Sequence, residues 1–106
     1  MSVEEEELLA YREKVVAEVE VRALRLKEIE VQVALVAQVV DSFPVSHVLR
    51  GSIGRDQARM AHERLQRRRY AELCEQREQA AADLVRAERR LCEVDERLKE
   101  GAPEEN

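Results

Sequence analysis

Pro44-Val45-Ser46-His47-Val48-Leu49-Arg50-Gly51-Ser52-Ile53-Gly54 is the one stretch inside this chain that both Pro and Gly punctuate. To its left, Ser2 to Phe43 contains neither residue, and to its right neither does Arg55 to Glu100. Pro lacks the N–H that a helix needs, and it drives Phe43 towards an extended conformation. Both flanking runs are dense in Glu, Arg, Ala, Leu and Val, with apolar residues near a heptad period. Two long helices joined by so short a connection can only run antiparallel. The expected fold class is therefore all-α, a long antiparallel helical hairpin or coiled coil in one domain over residues 1–106. Helix 1 is expected at about 3–42, the linker at about 43–55, helix 2 at about 56–100, and a short disordered tail at 101–106. In the linker, Val45 to Leu49 and Ser52-Ile53 around Arg50-Gly51 admit either a minimal β-hairpin or a tight irregular turn.

Helix signals support these limits. Ser2 is a natural N-cap with Glu5 three residues on, and Glu4 to Glu7 sit where the helix dipole favours negative charge. Asp41 and Ser42 are exit residues before Pro44. Helix 2 takes Asp56 or Ser52 as cap and stops at Gly101, with Pro103 beyond. Steps of four and three from position 8 reach Leu8, Arg12, Val15, Val19, Arg22, Leu26, Ile29, Val33, Val36, Val40 and Phe43. Only Arg12 and Arg22 break the apolar pattern, and both can lay their stems along a seam. Ile29 to Val33 alternates as a strand would, but its flanks keep the helical period. Counting back along helix 2 gives Leu98, Val94, Leu91, Ala87, Leu84, Ala80, Arg77, Leu73 and Tyr70. The next apolar residues, Leu65, Ala61 and Ala58, are out of phase and predict a stutter. The intrachain seam is expected to consist of Leu8, Val15, Val19, Leu26, Ile29, Leu73, Leu84, Leu91 and Leu98. Folding about residue 48 would set Glu4–Glu7 opposite Arg89 and Arg90, and Glu28 and Glu30 opposite Arg67–Arg69.

Composition narrows the class of function. There is no Trp, one Phe and two Tyr in 106 residues, too few large aromatics for a compact multilayer core. Charged residues make up 39%, of both signs, which suits long solvated helices. The net charge of −5 disfavours nonspecific nucleic-acid binding, although residues 55–70 hold six Arg against two acids. The start of the chain is acidic and lacks the apolar core of a signal peptide. The longest uncharged run in either helix, Val31 to Val40, is far too short to span a bilayer. Cys74 and Cys92 are separated by ~27 Å of helix and cannot pair, and two free thiols suit a reducing, cytoplasmic compartment.

Few residues carry chemistry. His47, His62, Cys74 and Cys92 lack the paired short spacing of zinc sites. Ser42, Ser46 and Ser52 near His47 have no orienting acid beyond Asp41. No phosphate loop is present, so no catalysis, cofactor, metal or small-molecule substrate is expected. Arg64, Arg67, Arg68 and Arg69 form a basic block that reads first as a solvated or ion-paired face and second as an anionic-partner patch. The largest apolar excess is Val31, Val33, Leu35, Val36, Val39, Val40 and Phe43, which wraps over half of helix 1. One partner helix offering only Ala58, Met60, Ala61 and Leu65 cannot cover it, so these seven residues are the expected partner-binding surface.

The layout also resembles a prefoldin subunit of the shorter β type. The likeness lies in two long terminal helices and in Val48-Leu49-Arg50-Gly51-Ser52-Ile53-Gly54-Arg55, which is similar to that family's Gly-Arg-containing hairpin element. It departs where Asp56-Gln57-Ala58-Arg59 replaces the expected run of β residues. The resemblance implies a hetero-oligomeric co-chaperone that holds unfolded clients at its helix tips. The expected function is thus a non-enzymatic coiled-coil subunit with protein partners, in a hetero- or homo-oligomer. Two alternatives stand beside the co-chaperone. One is a stalk or adaptor of an export, motor or cytoskeletal complex. The other is a nucleic-acid-associated subunit that uses Arg64–Arg69.

Overall fold

The structure, a computed structural model, describes residues 2–43 and 53–101, the first four residues of the second helix by backbone alone. It is an antiparallel helical hairpin of α1 (Val3–Asp41) and α2 (Ile53–Gly101). There is no strand among the described residues, and the alternating Ile29–Val33 is helical. Most of the expected β-hairpin and linker, 44–52, and the tail from 102 lie outside the described residues.

The caps explain where α1 begins and ends. The Glu5 N–H donates to Ser2 Oγ at 3.2 Å, and the Glu6 N–H to the Ser2 carbonyl at 3.1 Å. Ser2 therefore satisfies donors that the first turn leaves without partners. At the other end the Ser42 N–H bonds to Gln38 O and Val39 O, and its hydroxyl donates to Val39 O at 2.6 Å. α2 is already helical at Ile53, so Asp56 lies inside the helix rather than at its cap, and Ser52, the other expected cap, lies outside the described residues. The helix keeps Gly101 as its last helical residue.

The packing separates into two units, Met1–Leu26 with Gln79–Asn106, and Lys27–Glu78. In the first unit Val15, Ala80, Ala87 and Val94 form the buried core. Ala87 is fully buried, and small residues at 80 and 87 let two backbones approach closely. The stripe's two arginines do more than lay their stems along the seam, because each reaches a carboxylate on α2. Arg12 Nε meets Asp95 Oδ1 at 2.6 Å, and Arg22 lies 3.6 Å from Asp83 and 3.8 Å from Glu18. Arg90 bonds to Glu18, and Arg86 and Gln79 both bond to Asp83. Asp95 raises the Arg12 pKa through its hydrogen bond and its charge. Desolvation alone would push the Asp83 carboxyl up. The hydrogen bonds from Gln79 and Arg86 and the charges of Arg86 and Arg22 outweigh it and hold the group below its ordinary range. Each pair is weak on its own in so exposed a setting, but together they select one register.

In the second unit Ile29, Val33, Val36 and Leu73 are buried, and so is the carboxylate residue Glu63. Arg67 lies 3.8 Å from Glu63 and holds its guanidinium 5.4 Å from the Phe43 ring centre. Phe43 meets His62 edge-on, with ring centres 6.2 Å apart.

These contacts correct the register expected from sequence. Arg12 with Asp95, Glu18 with Arg90, and Arg22 with Asp83 have numbers adding to 107, 108 and 105. Phe43 with His62, in the other unit, adds to 105. A fold about residue 48 requires sums near 97. Glu18, not Glu4–Glu7, therefore meets Arg90, and Arg67 serves Glu63 and Phe43 rather than Glu28 or Glu30. The physical reason is that seam layers set register, not the shortest loop. A sum near 106 places the two stripes in step, with Val33 level with Leu73, Leu26 with Ala80, and Val19 with Ala87.

The expected stutter is also absent. All eleven stripe positions from Leu8 to Phe43 are buried or half-buried, as are all nine from Leu98 to Tyr70. The count in α2 then continues in phase to half-buried Gln66 and buried Glu63, while Leu65, Ala61 and Ala58 are exposed. The phase is held by polar residues that an apolar count passes over.

Candidate protein-docking faces

A helix that buries a stripe on one face normally turns polar residues outward. α1 does not. In the second unit Val31 and Leu35 are 59% and 58% exposed, and Val39 is exposed beside them. In the first unit Val21 and Leu24 are exposed as well. Val21, Leu24, Val31 and Leu35 each lie two residues beyond a seam position, namely Val19, Arg22, Ile29 and Val33. Two residues turn a helix by ~200°, so this second stripe lies nearly opposite the seam. α1 is apolar on two faces, and α2 covers one of them.

The seven residues expected to bind a partner therefore divide. Val33 and Val36 are buried in the seam, and Val40 and Phe43 are half-buried. Val31, Leu35 and Val39 remain outside. Substituting Val36 would strike the hairpin's own core rather than a free surface. Val21 and Leu24 were outside the expected set because it stopped at the densest apolar run. The signal that finds them is a second four-and-three count, offset by two from the first. The residues supposed to face Val31–Phe43, namely Ala58, Met60, Ala61 and Leu65, are all exposed.

Of the basic block, Arg67 is engaged by Glu63 and Phe43. Arg64, Arg68 and Arg69 are exposed on α2 and make no ion pair with the described residues. The two thiols also differ. Cys74 is half-buried, and this thiol one turn from Tyr70 raises the tyrosine pKa, while Cys92 is exposed. Eighteen residues return a straight helix to the same face, but a seam of period 3.5 drifts ~20° per heptad, so the two positions stand differently to it.

Among the described residues no group of three His, Cys, Asp or Glu could hold a metal ion. No described helix is long and apolar enough to cross a membrane. Surface depressions are shallow grooves along the helix pair, one of them lined by Tyr11, Arg90, Glu93, Val94 and Arg97. Compared with known proteins, the chain matches no protein-family model, no curated protein and no solved structure.

Proposed function

We propose that this chain is a non-enzymatic, cytoplasmic coiled-coil subunit of a multi-protein assembly, and that a partner helix docks on the outer stripe of α1. The observation that carries this reading is the second apolar face. Val31, Leu35 and Val39 present a contiguous aliphatic surface over two turns while the seam is already filled. An apolar patch of that kind on a thin hairpin costs solubility unless something covers it. Burying it contributes about 25 cal/mol per Å² before ordering costs are subtracted.

Among assemblies, a stalk or adaptor within an export, motor or cytoskeletal complex is the favoured version. It is supported by α2 being helical from Ile53, inside the segment where a co-chaperone of prefoldin type would place its β-hairpin. The co-chaperone reading rests on the sequence likeness, whose remaining residues, 48–52, lie outside the described ones. Nucleic-acid association ranks third, because only three arginines of the block are available and an apolar side chain stands among them.

The test is affinity capture with the full chain, comparing the parent with Val31→Gln/Leu35→Gln. Gln keeps helix propensity and removes the apolar surface. The parent should retain a stoichiometric protein partner and the double variant should lose it, with the variant's own stability changed by under ~0.5 kcal/mol. Equal capture by both chains would contradict docking on this face.

A further inference from the structure

α2 carries another surface, different in kind from the α1 stripe and independent of it. Ala61, Arg64, Leu65, Arg68, Arg69 and Glu72 follow i, i+3, i+4 spacing and share one outward face, all of them exposed. Leu65 stands at its centre, 60% exposed. A shallow groove runs along each side of it, one lined by Ala61, Arg64 and Arg68, the other by Gln32, Arg69 and Leu73. Arg64, Arg68 and Arg69 have no carboxylate partner among the described residues. Glu72 lies one turn from Arg68 and Arg69 yet pairs with neither. Arg12, Arg22, Arg86 and Arg90 are paired, whereas Arg25, Arg77, Arg89 and Arg97, like the trio, make no ion pair with the described residues, so it is the clustering beside Leu65 that sets the trio apart. Like charges one turn apart weaken a helix, so an unneutralised trio around an apolar side chain is suited to an anionic, partly apolar surface.

The chain holds such a surface itself. Near the start of α1, Glu6, Glu7, Glu13 and Lys14 surround Ala10 at i−4, i−3, i+3 and i+4, and all five are exposed. None of the four charged residues has an ion pair among the described residues. Arg68 and Arg69 one turn on from Leu65, with Arg64 next to it in sequence, are opposite in charge to the three glutamates that flank Ala10. The charge is complementary, and a large apolar residue on one face is offered a small one on the other. We infer that this chain associates with a second copy of itself, the Leu65 patch of one docking on the Ala10 face of the other. A nucleic-acid phosphate backbone would satisfy the arginines but would leave Leu65 uncovered and find no exposed aromatic in the patch on which to stack a base.

Sedimentation of the full chain at low ionic strength tests this. The parent should self-associate, and added salt should weaken the association by screening. Arg68→Glu/Arg69→Glu should sediment as a monomer, and so should Glu6→Arg/Glu7→Arg. An equimolar mixture of the two variants should associate again, because the reversed charges match. Circular dichroism should show both variants as helical as the parent, since every altered residue is largely exposed, and Arg68→Gln/Arg69→Gln serves as a milder second variant. The inference is overturned by a parent that stays monomeric, by an arginine variant that associates like the parent, or by a mixture that stays monomeric. It is equally overturned if Val31→Gln/Leu35→Gln abolishes self-association while the arginine variants keep it. A single-stranded DNA oligonucleotide bound by the parent and lost in the arginine variants, with self-association intact, would assign the patch to nucleic acid instead.

Discussion

Leu73→Ala should lower the stability of the hairpin by about 2–4 kcal/mol, whereas Leu65→Ala should change it by under ~0.5 kcal/mol. The two residues are of one type, sit on one helix and lie eight positions apart. Leu73 is 6% exposed at a seam position, and truncating it removes buried methyl groups and leaves a cavity that the Ile29–Val36 segment cannot fill. Leu65 is 60% exposed and loses little that is buried. Denaturant unfolding followed by helical circular dichroism measures both. Equal losses would restore the stutter and place Leu65 in the seam.

Val36→Gln should cost about 2–4 kcal/mol, and Leu35→Gln beside it almost nothing. Val36 is 8% exposed, so the substitution removes apolar burial and forces an amide into a site with no evident partner for it. Leu35 is turned outward, where Gln is a good helix former in water. The functional effects should run the other way. Leu35→Gln should weaken partner capture while the hairpin stays folded. Val36→Gln should impair capture only to the extent that the hairpin unfolds. Thermal melts of the two variants, taken with capture below the melting range, separate the two roles. Matching melts would mean that α1 is rotated from the orientation described.

Most of the fold was legible in the residues because heptad spacing is a direct record of which face is buried. The four-and-three count from Leu8 met a buried or half-buried residue at every step. It failed in α2 where the seam turned polar. Following apolar residues led to Leu65, while following the period would have led to Gln66 and Glu63. A buried carboxylate is rarely expected, and Glu63 is accommodated because Arg67 stands one turn away. The register was misread for a related reason. The short connection suggested a pivot at residue 48, but residues 53–61 of α2 precede the contact between Phe43 and His62. Sliding one stripe along the other until each position had an opposite number would have found the offset. The candidate site was half legible: the excess of Val and Leu was plain, but its division between seam and surface depends on phase. A bare aliphatic face accepts many apolar helices, so the identity of the partner is not written in Val31, Leu35 and Val39 themselves.

The most direct measurement of the central claim, that α1 docks a partner on the face away from α2, is site-specific photocrosslinking. A photoreactive side chain would be placed in the full chain at Leu35, and in parallel at Arg89, an exposed polar position on α2. Irradiation in the native cell should give one intermolecular adduct of defined mass from position 35 and none from position 89. No adduct from position 35, or the same adducts from both positions, would contradict it.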